Sequence, residues 1–178
     1  MSSAHLLENE AVVNNSGIEG ANGENQYLTF IMADEEYGVD ILRVQEIRGW
    51  GPVTQIPNTP DYIKGVINIR GTIVPIVDLR QKFRMDVAEY GPMTVVIVVS
   101  VHAESKERVM GIVVDAVSDV YSIGEEALRE APDFGSVVDT RFVRGLATID
   151  DKMLILLEID RLLNADELHM DGQARHAE

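Results

Sequence analysis

The chain repeats itself once. YIKGVINIRGTIVPIVDLR, Tyr62 to Arg80, returns in altered form as FVRGLATIDDKMLILLEIDRLL, Phe142 to Leu163. With Gly65 set on Gly145, Val66 falls on Leu146, Ile69 on Ile149 and Arg70-Gly71 on Asp150-Asp151. Further on, Ile73-Val74 falls on Met153-Leu154, Ile76-Val77 on Leu156-Leu157 and Asp78-Leu79 on Glu158-Ile159. An earlier pair agrees: GVDILRVQEI, Gly38 to Ile47, sets against GIVVDAVSDV, Gly111 to Val120, with Val44 on Val117 and Glu46 on Asp119. Two blocks recurring in the same order argue for the duplication of one small unit. Two copies make a pseudo-symmetric pair and not a solenoid.

The repeated unit reads as β. Val66, Ile67 and Ile69 form one run, Thr72 to Leu79 another, and Arg70-Gly71 breaks them, so the stretch predicts a hairpin with a tight turn. Pro75 predicts an edge strand or a bulge, because proline cannot donate to a ladder. YLTFIM (Tyr27 to Met32), Tyr37 to Asp40, and Arg108 to Val114 predict further strands. MTVVIVVSV (Met93 to Val101) is continuously apolar and predicts a strand buried on both faces or against the other unit. Ile41 to Ile47 predicts a short turn followed by a strand, and Asp61 to Lys64 a helical turn. Arg80 to Pro92 is polar and reads as the junction between units. Asp160 to Met170 reads as the one convincing helix. The expected architecture is all-β: two pseudo-symmetric five-stranded small barrels packed together, with a short C-terminal helix. The barrels take residues 26–90 and 91–159, strands being exchangeable between halves. Residues 1–25 form a flexible tail, and 160–178 the helix and a second tail.

Composition narrows the function. A chain of 178 residues buries roughly 70% of its unfolded surface and needs no metal or disulfide to fold. It has no cysteine, which excludes disulfides and thiolate metal sites. A net charge of -15 repels nucleic acid and anionic lipid. No apolar run is long enough to span a bilayer, and no leader pattern opens the chain, so a soluble cytoplasmic protein is expected. His5, His102, His169 and His176 lie in tails and a loop without metal-ligand spacing. No phosphate loop or G-x-S-x-G motif is present. The carboxylates Asp40, Glu46, Asp78, Asp115, Asp119 and Glu158 stand near strand ends and read as solvated or ion-paired. The alternative, an acidic-site hydrolase using two of them, lacks a constellation in sequence. The expectation is no enzyme, no cofactor and no metal.

Arg70 remains, a cation on a hairpin tip of an acidic chain. It is either a turn residue paired with Asp78 or a fork for a partner's carboxylate. Glu46 is likewise a solvated strand residue or half of a partner-facing ion pair. Val44, Val95, Val96 and Val120 are core by default, or line an apolar groove fit for a partner helix. Phe134, beside Pro132, pins its loop or anchors an interface.

EEYGVDILRVQEIRGW, IPNTPDYIKGVINIRGTIVPIVDLR, TVVIVVS and VMGIVVDAVSDVYSI resemble the CheW family of bacterial chemotaxis coupling proteins, from about Gln26 to Asn164. The resemblance implies two pseudo-symmetric five-stranded barrels and a non-catalytic adaptor. Its partners would be the cytoplasmic tips of chemoreceptors and the regulatory domain of the histidine kinase CheA, with rings of CheW copies as a further assembly. It implies receptor contacts at Val44, Glu46, Arg70, Val95, Val96 and Val120. It implies kinase contacts at Lys64 and Gly65 at one end, and at Arg129 and Phe134 at the other. Scaffolding of another kinase pathway, for surface motility or development, fits the same residues. The HAESKER segment, 102–108, makes one hairpin longer than the family implies.

Overall fold

A computed structural model describes residues 25–86, 89–104, 106–132 and 139–164. Of the flexible tail expected at 1–25, residues 1–24 lie outside the described residues, as do the loop holding Phe134 and the chain beyond 164, while Asn25 already opens a strand. Ten strands run in order: β1 Asn25–Met32, β2 Glu35–Asp40, β3 Val44–Gly49, β4 Ile63–Ile69, β5 Thr72–Asp78, β6 Val95–His102, β7 Glu107–Val114, β8 Ala116–Ile123, β9 Val143–Ile149 and β10 Lys152–Leu157. A 3-10 turn, Ile41–Arg43, separates β2 from β3. A one-turn helix α1, Leu79–Lys82, follows β5, and residues 159–164 are helical (α2) after β10.

The strands form two five-stranded sheets, ordered β8-β1-β2-β10-β9 and β3-β6-β7-β5-β4. Advancing each strand of one sheet by one repeat unit yields the other. The β1–β2 hairpin has therefore left its own copy. It completes the sheet of β8, β9 and β10, while β6–β7 completes that of β3, β4 and β5. Each sheet closes on itself beyond its last strand. Thr54 bridges to Val66 and Arg129 to Leu146, each by two backbone hydrogen bonds of 2.8–2.9 Å. We call them barrel A, containing β1, and barrel B, containing β3.

Gly65 and Gly145 occupy equivalent places, as the repeat requires. Each follows a bulge: β4 slips against β5 between Ile63 and Gly65, and β9 slips against β10 between Val143 and Gly145. Gly65 has φ +142°, and a Cβ there would lie 2.3 Å from the Thr54 carbonyl oxygen, so no other residue fits without distortion. Three hairpin turns, Ala33-Asp34, Arg70-Gly71 and Asp150-Asp151, hold both central residues at positive φ, which matches the right-handed twist of the strands.

Alternation along β6 distributes the core. Val96 and Val98 enter the interior of barrel B with Val74, Ile76 and Val113. Ile97, Val99 and Val101 face the other way, into the core that joins the barrels with Phe30, Tyr37 and Leu79. Tyr27, Ile123, Leu154 and Leu156 fill barrel A.

Three local expectations change. β5 is an inner strand, between β4 and β7, despite Pro75. Its parallel ladder to β7 begins at Ile76, so the missing N–H falls just before the ladder. Residues 61–62 form a turn and Ile63 already opens β4, so Asp61 to Lys64 is not helical. The junction after Leu79 contains α1, because Asp78 caps it by accepting from Gln81 N–H and because Leu79 and Phe83 enter the joining core.

Candidate functional site

The motif Asn68-Ile69-Arg70-Gly71 builds the tip of the β4–β5 hairpin. The Asn68 side-chain oxygen accepts from Gly71 N–H at 2.8 Å and fixes the turn. Arg70, at φ 49°, projects from it with 77% of its side chain exposed. Its internal partner is Glu46 and not Asp78: Arg70 Nη2 donates to Glu46 Oε1 at 2.5 Å. Asp78 is buried, occupied by α1 and by the Tyr90 hydroxyl, which donates to it. Burial and that bond raise the Tyr90 pKa well above the usual phenol range.

Glu46 lies on β3 and Arg70 follows β4, so the pair spans the seam where barrel B's two outer strands meet. Arg48 Nη1 stands 3.8 Å from the same carboxylate. Beside the pair opens a cleft of about 260 Å³, lined by Trp50, Val53, Ile67, Asn68 and Val96 among others. The equivalent seam of barrel A has acid at both positions, Asp119 and Asp150, by the alignment of the repeats. Of the two seams, that of barrel B pairs a cation with the acid and that of barrel A does not. Sequence reasoning singled out Glu46 and Arg70 separately; the fold joins them.

The valines divide. Val44 is 1% exposed, in the joining core, and Val96 is 3% exposed, inside barrel B. The alternation of β3 and β6 turns both inward: Val44 supports the surface from beneath, and Val96 forms part of the floor of the cleft beside the pair. Val95 is half-buried and Val120, on the outer strand β8 of barrel A, is 37% exposed. No hydrogen bond or ion pair connects Val120 with Arg70 among the described residues.

Lys64 sits at the β4 bulge and donates to the Gln81 side-chain oxygen at 2.9 Å, tying the hairpin to α1. Gly65 has no side chain to offer and is enclosed by the Thr54 bridge. Arg129 is exposed; its guanidinium donates to the carbonyls of Glu126 and Leu128 at 2.9 and 3.2 Å. Its backbone forms barrel A's closing bridge, as that of Thr54 does in barrel B. Of the residues expected to meet the kinase, Lys64-Gly65 and Arg129 thus lie at equivalent ends of the two barrels. Phe134 lies outside the described residues.

The sequence reading missed two bidentate ion pairs. Arg80 donates from Nε and Nη2 to Asp115 at 2.8 Å, and Arg43 donates from Nη1 and Nη2 to Asp160 at 2.8 and 2.7 Å. Burial pushes both carboxyls up. Hydrogen bonds from the arginine and from a backbone N–H, with the arginine charge, outweigh this and hold both below the usual carboxylate range. Among the described residues no group of three or more His, Asp or Glu is placed to hold a metal ion, and no helix is long and apolar enough to cross a membrane.

A model of the CheW-like domain matches residues 26–167. The chemotaxis protein CheW of Klebsiella aerogenes is 48% identical over 153 residues, covering 86% of this chain and 90% of that protein. CheW of Rhizobium meliloti is 39% identical over 146 residues, covering 82% and 92%. The crystal structure of the scaffolding protein TtCheW from Thermoanaerobacter tengcongensis superimposes with a TM-score of 0.71 at 33% identity, over 81% of this chain and 90% of that one. Two barrels related by an internal repeat, an N-x-R-G hairpin tip and this extent of identity agree: the chain belongs to the CheW family.

Proposed function

We propose that the chain is a non-catalytic cytoplasmic adaptor that couples the cytoplasmic tips of chemoreceptors to the histidine kinase CheA. The observation that carries this reading is the seam of barrel B. It presents an exposed guanidinium, tethered to Glu46 by one contact and bordered by a cleft with both polar and apolar walls, in a chain of the CheW family. An amphipathic receptor helix would set a carboxylate on Arg70 and its apolar side against the neighbouring surface, including Val95 and Val120. Val44 and Val96 would act through the packing beneath.

The kinase regulatory domain would meet the barrel ends, at Lys64-Gly65 on barrel B and at Arg129 on barrel A, with Phe134 as a further contact. The equivalence of the two ends supports an arrangement in which double-barrel partners alternate end to end. The test is co-sedimentation of the full chain with a receptor cytoplasmic fragment and CheA. A ternary complex that depends on this chain is expected. Receptor and kinase sedimenting together equally well without it would overturn the reading.

A further inference from the structure

The two bidentate ion pairs join corresponding elements of the two repeats, with the linker member one position apart, since Arg43 aligns with Ala116. Arg80 and Asp160 are each the second residue of the helix that follows the fifth strand of a repeat. Asp115 and Arg43 each immediately precede the third strand of a repeat. The carboxylates accept one further bond each, Asp115 from Ala33 N–H at 3.0 Å and Asp160 from His102 N–H at 2.7 Å. Ala33 and His102 are equivalent too. Phe30 stands opposite Val117 as Val99 stands opposite Val44, and each donor is three residues further on.

The polarity of the pairs is opposite. In one, the helix carries the cation and the linker the anion; in the other, the helix carries the anion and the linker the cation. α1 reaches Asp115 because β5 lies parallel to β7, and α2 reaches Arg43 because β10 lies parallel to β2. Were the hairpins to trade places, β2 would lie beside β5 and β7 beside β10. Arg80 would then face Arg43, and Asp160 would face Asp115.

Backbone register does not tell the hairpins apart, although their buried side chains differ, β1 carrying Tyr27 and Thr29 where β6 carries Val96 and Val98. Their ladders have matching registers, Ile76 opposite Gly111 and Leu156 opposite Gly38. Both glycines face a branched side chain that a Cβ would approach to 2.7 Å. Either hairpin therefore presents a gap where the facing strand needs one. We propose that the opposite polarity of the two ion pairs is what directs β1–β2 onto β8, β9 and β10, and β6–β7 onto β3, β4 and β5. The arrangement in which each hairpin stays with its own repeat is penalised by two like-charge contacts at half-buried positions, and only the exchanged one satisfies all four charges.

The absence of cysteine makes this testable with engineered cross-links in the full chain. Gln26 stands opposite Ser122 in the exchanged arrangement, with their side chains 3.3 Å apart. Gly49 stands opposite Val95 and is the equivalent of Ser122, so Gln26 would face Gly49 in the unexchanged one. A Cβ at Gly49 meets nothing within 4 Å. Cysteine pairs at 26/122 and at 26/49 therefore report the two arrangements after oxidative refolding, read as remaining free thiols. With otherwise unchanged sequence, 26/122 should close and 26/49 should stay open. Arg43→Asp with Asp160→Arg keeps an attractive pair in each native site but makes their polarity alike, so closure of 26/49 should rise by about tenfold or more. Arg80→Asp with Asp115→Arg should do the same. All four substitutions together restore opposite polarity, and closure should return to the starting level. Unchanged 26/49 closure in both double variants, or no return in the fourfold variant, would overturn the proposal.

Discussion

Arg70 makes one monodentate contact with Glu46 and is otherwise solvated, so it contributes little to folding. Exposed pairs of this kind are worth about 0–1 kcal/mol. Arg70→Ala and Arg70→His should leave the melting temperature nearly unchanged. They should weaken binding of a receptor fragment by about tenfold or more, a loss of ~1.4 kcal/mol per decade. Binding of the CheA regulatory domain should hold. Titration calorimetry against each partner checks this, and equal losses toward both would mark Arg70 as structural. The glycines behave oppositely. Gly38→Ala or Gly111→Ala drives a methyl into Leu156 or Ile76, whose side chains can shift, and should cost about 1–3 kcal/mol in urea unfolding. Gly65→Ala should cost more, since it meets backbone and holds φ +142°. The repeat alignment made Gly65 legible as a fixed point. The default reading of Val44 and Val96 as core agrees with their burial, but which core each residue of β6 enters was not legible, because every residue of Val95 to Val101 except Ser100 is apolar and the pattern gives no phase.

At the scale of elements, α1 and α2 are held to distant linkers by Asp115 and Asp160. Both carboxyls lie below their usual value of 3.8 in the folded chain. A depressed carboxyl contributes stability that is complete above the unfolded value and is lost as pH falls through the folded one. Unfolding free energy should therefore decline from about pH 4 downward. Asp115→Asn and Asp160→Asn should each lower stability at neutral pH and flatten that decline, as followed by denaturant titration at stepped pH. The hairpins were readable from Arg70-Gly71 and its copy. α1 was not, because four residues carry too little periodicity, although Asp78 at its start was a capping signal already in view.

For the whole molecule, the exchanged hairpins mean that neither half contains a complete barrel. Residues 1–90 hold β1 and β2 without β8, β9 and β10, and hold β3, β4 and β5 without β6 and β7. That fragment should lack a cooperative melt by circular dichroism. Mixing it with residues 91–178 should restore one. The full chain should unfold in a single transition, because one core of Phe30, Ile97, Val99 and Leu162 joins both barrels. An all-β architecture with two copies follows from strand patterning and the repeat. Which strand meets which does not, since the parallel contacts β2–β10 and β5–β7 are long-range choices between near-equivalent partners.

On the ribosome, the chain appears from its N-terminus. β2 ends at Asp40, yet β10, which must lie beside it, is complete only at Leu157. At ~5–20 residues per second, this leaves roughly 6–24 seconds in which the first hairpin has been made and its outer edge has no mate. The neighbour on its other side, β8, is finished only at Ile123. The hairpin made before every other described strand is thus among the last to be covered, and its sheet edge stays open while residues 41–157 are added.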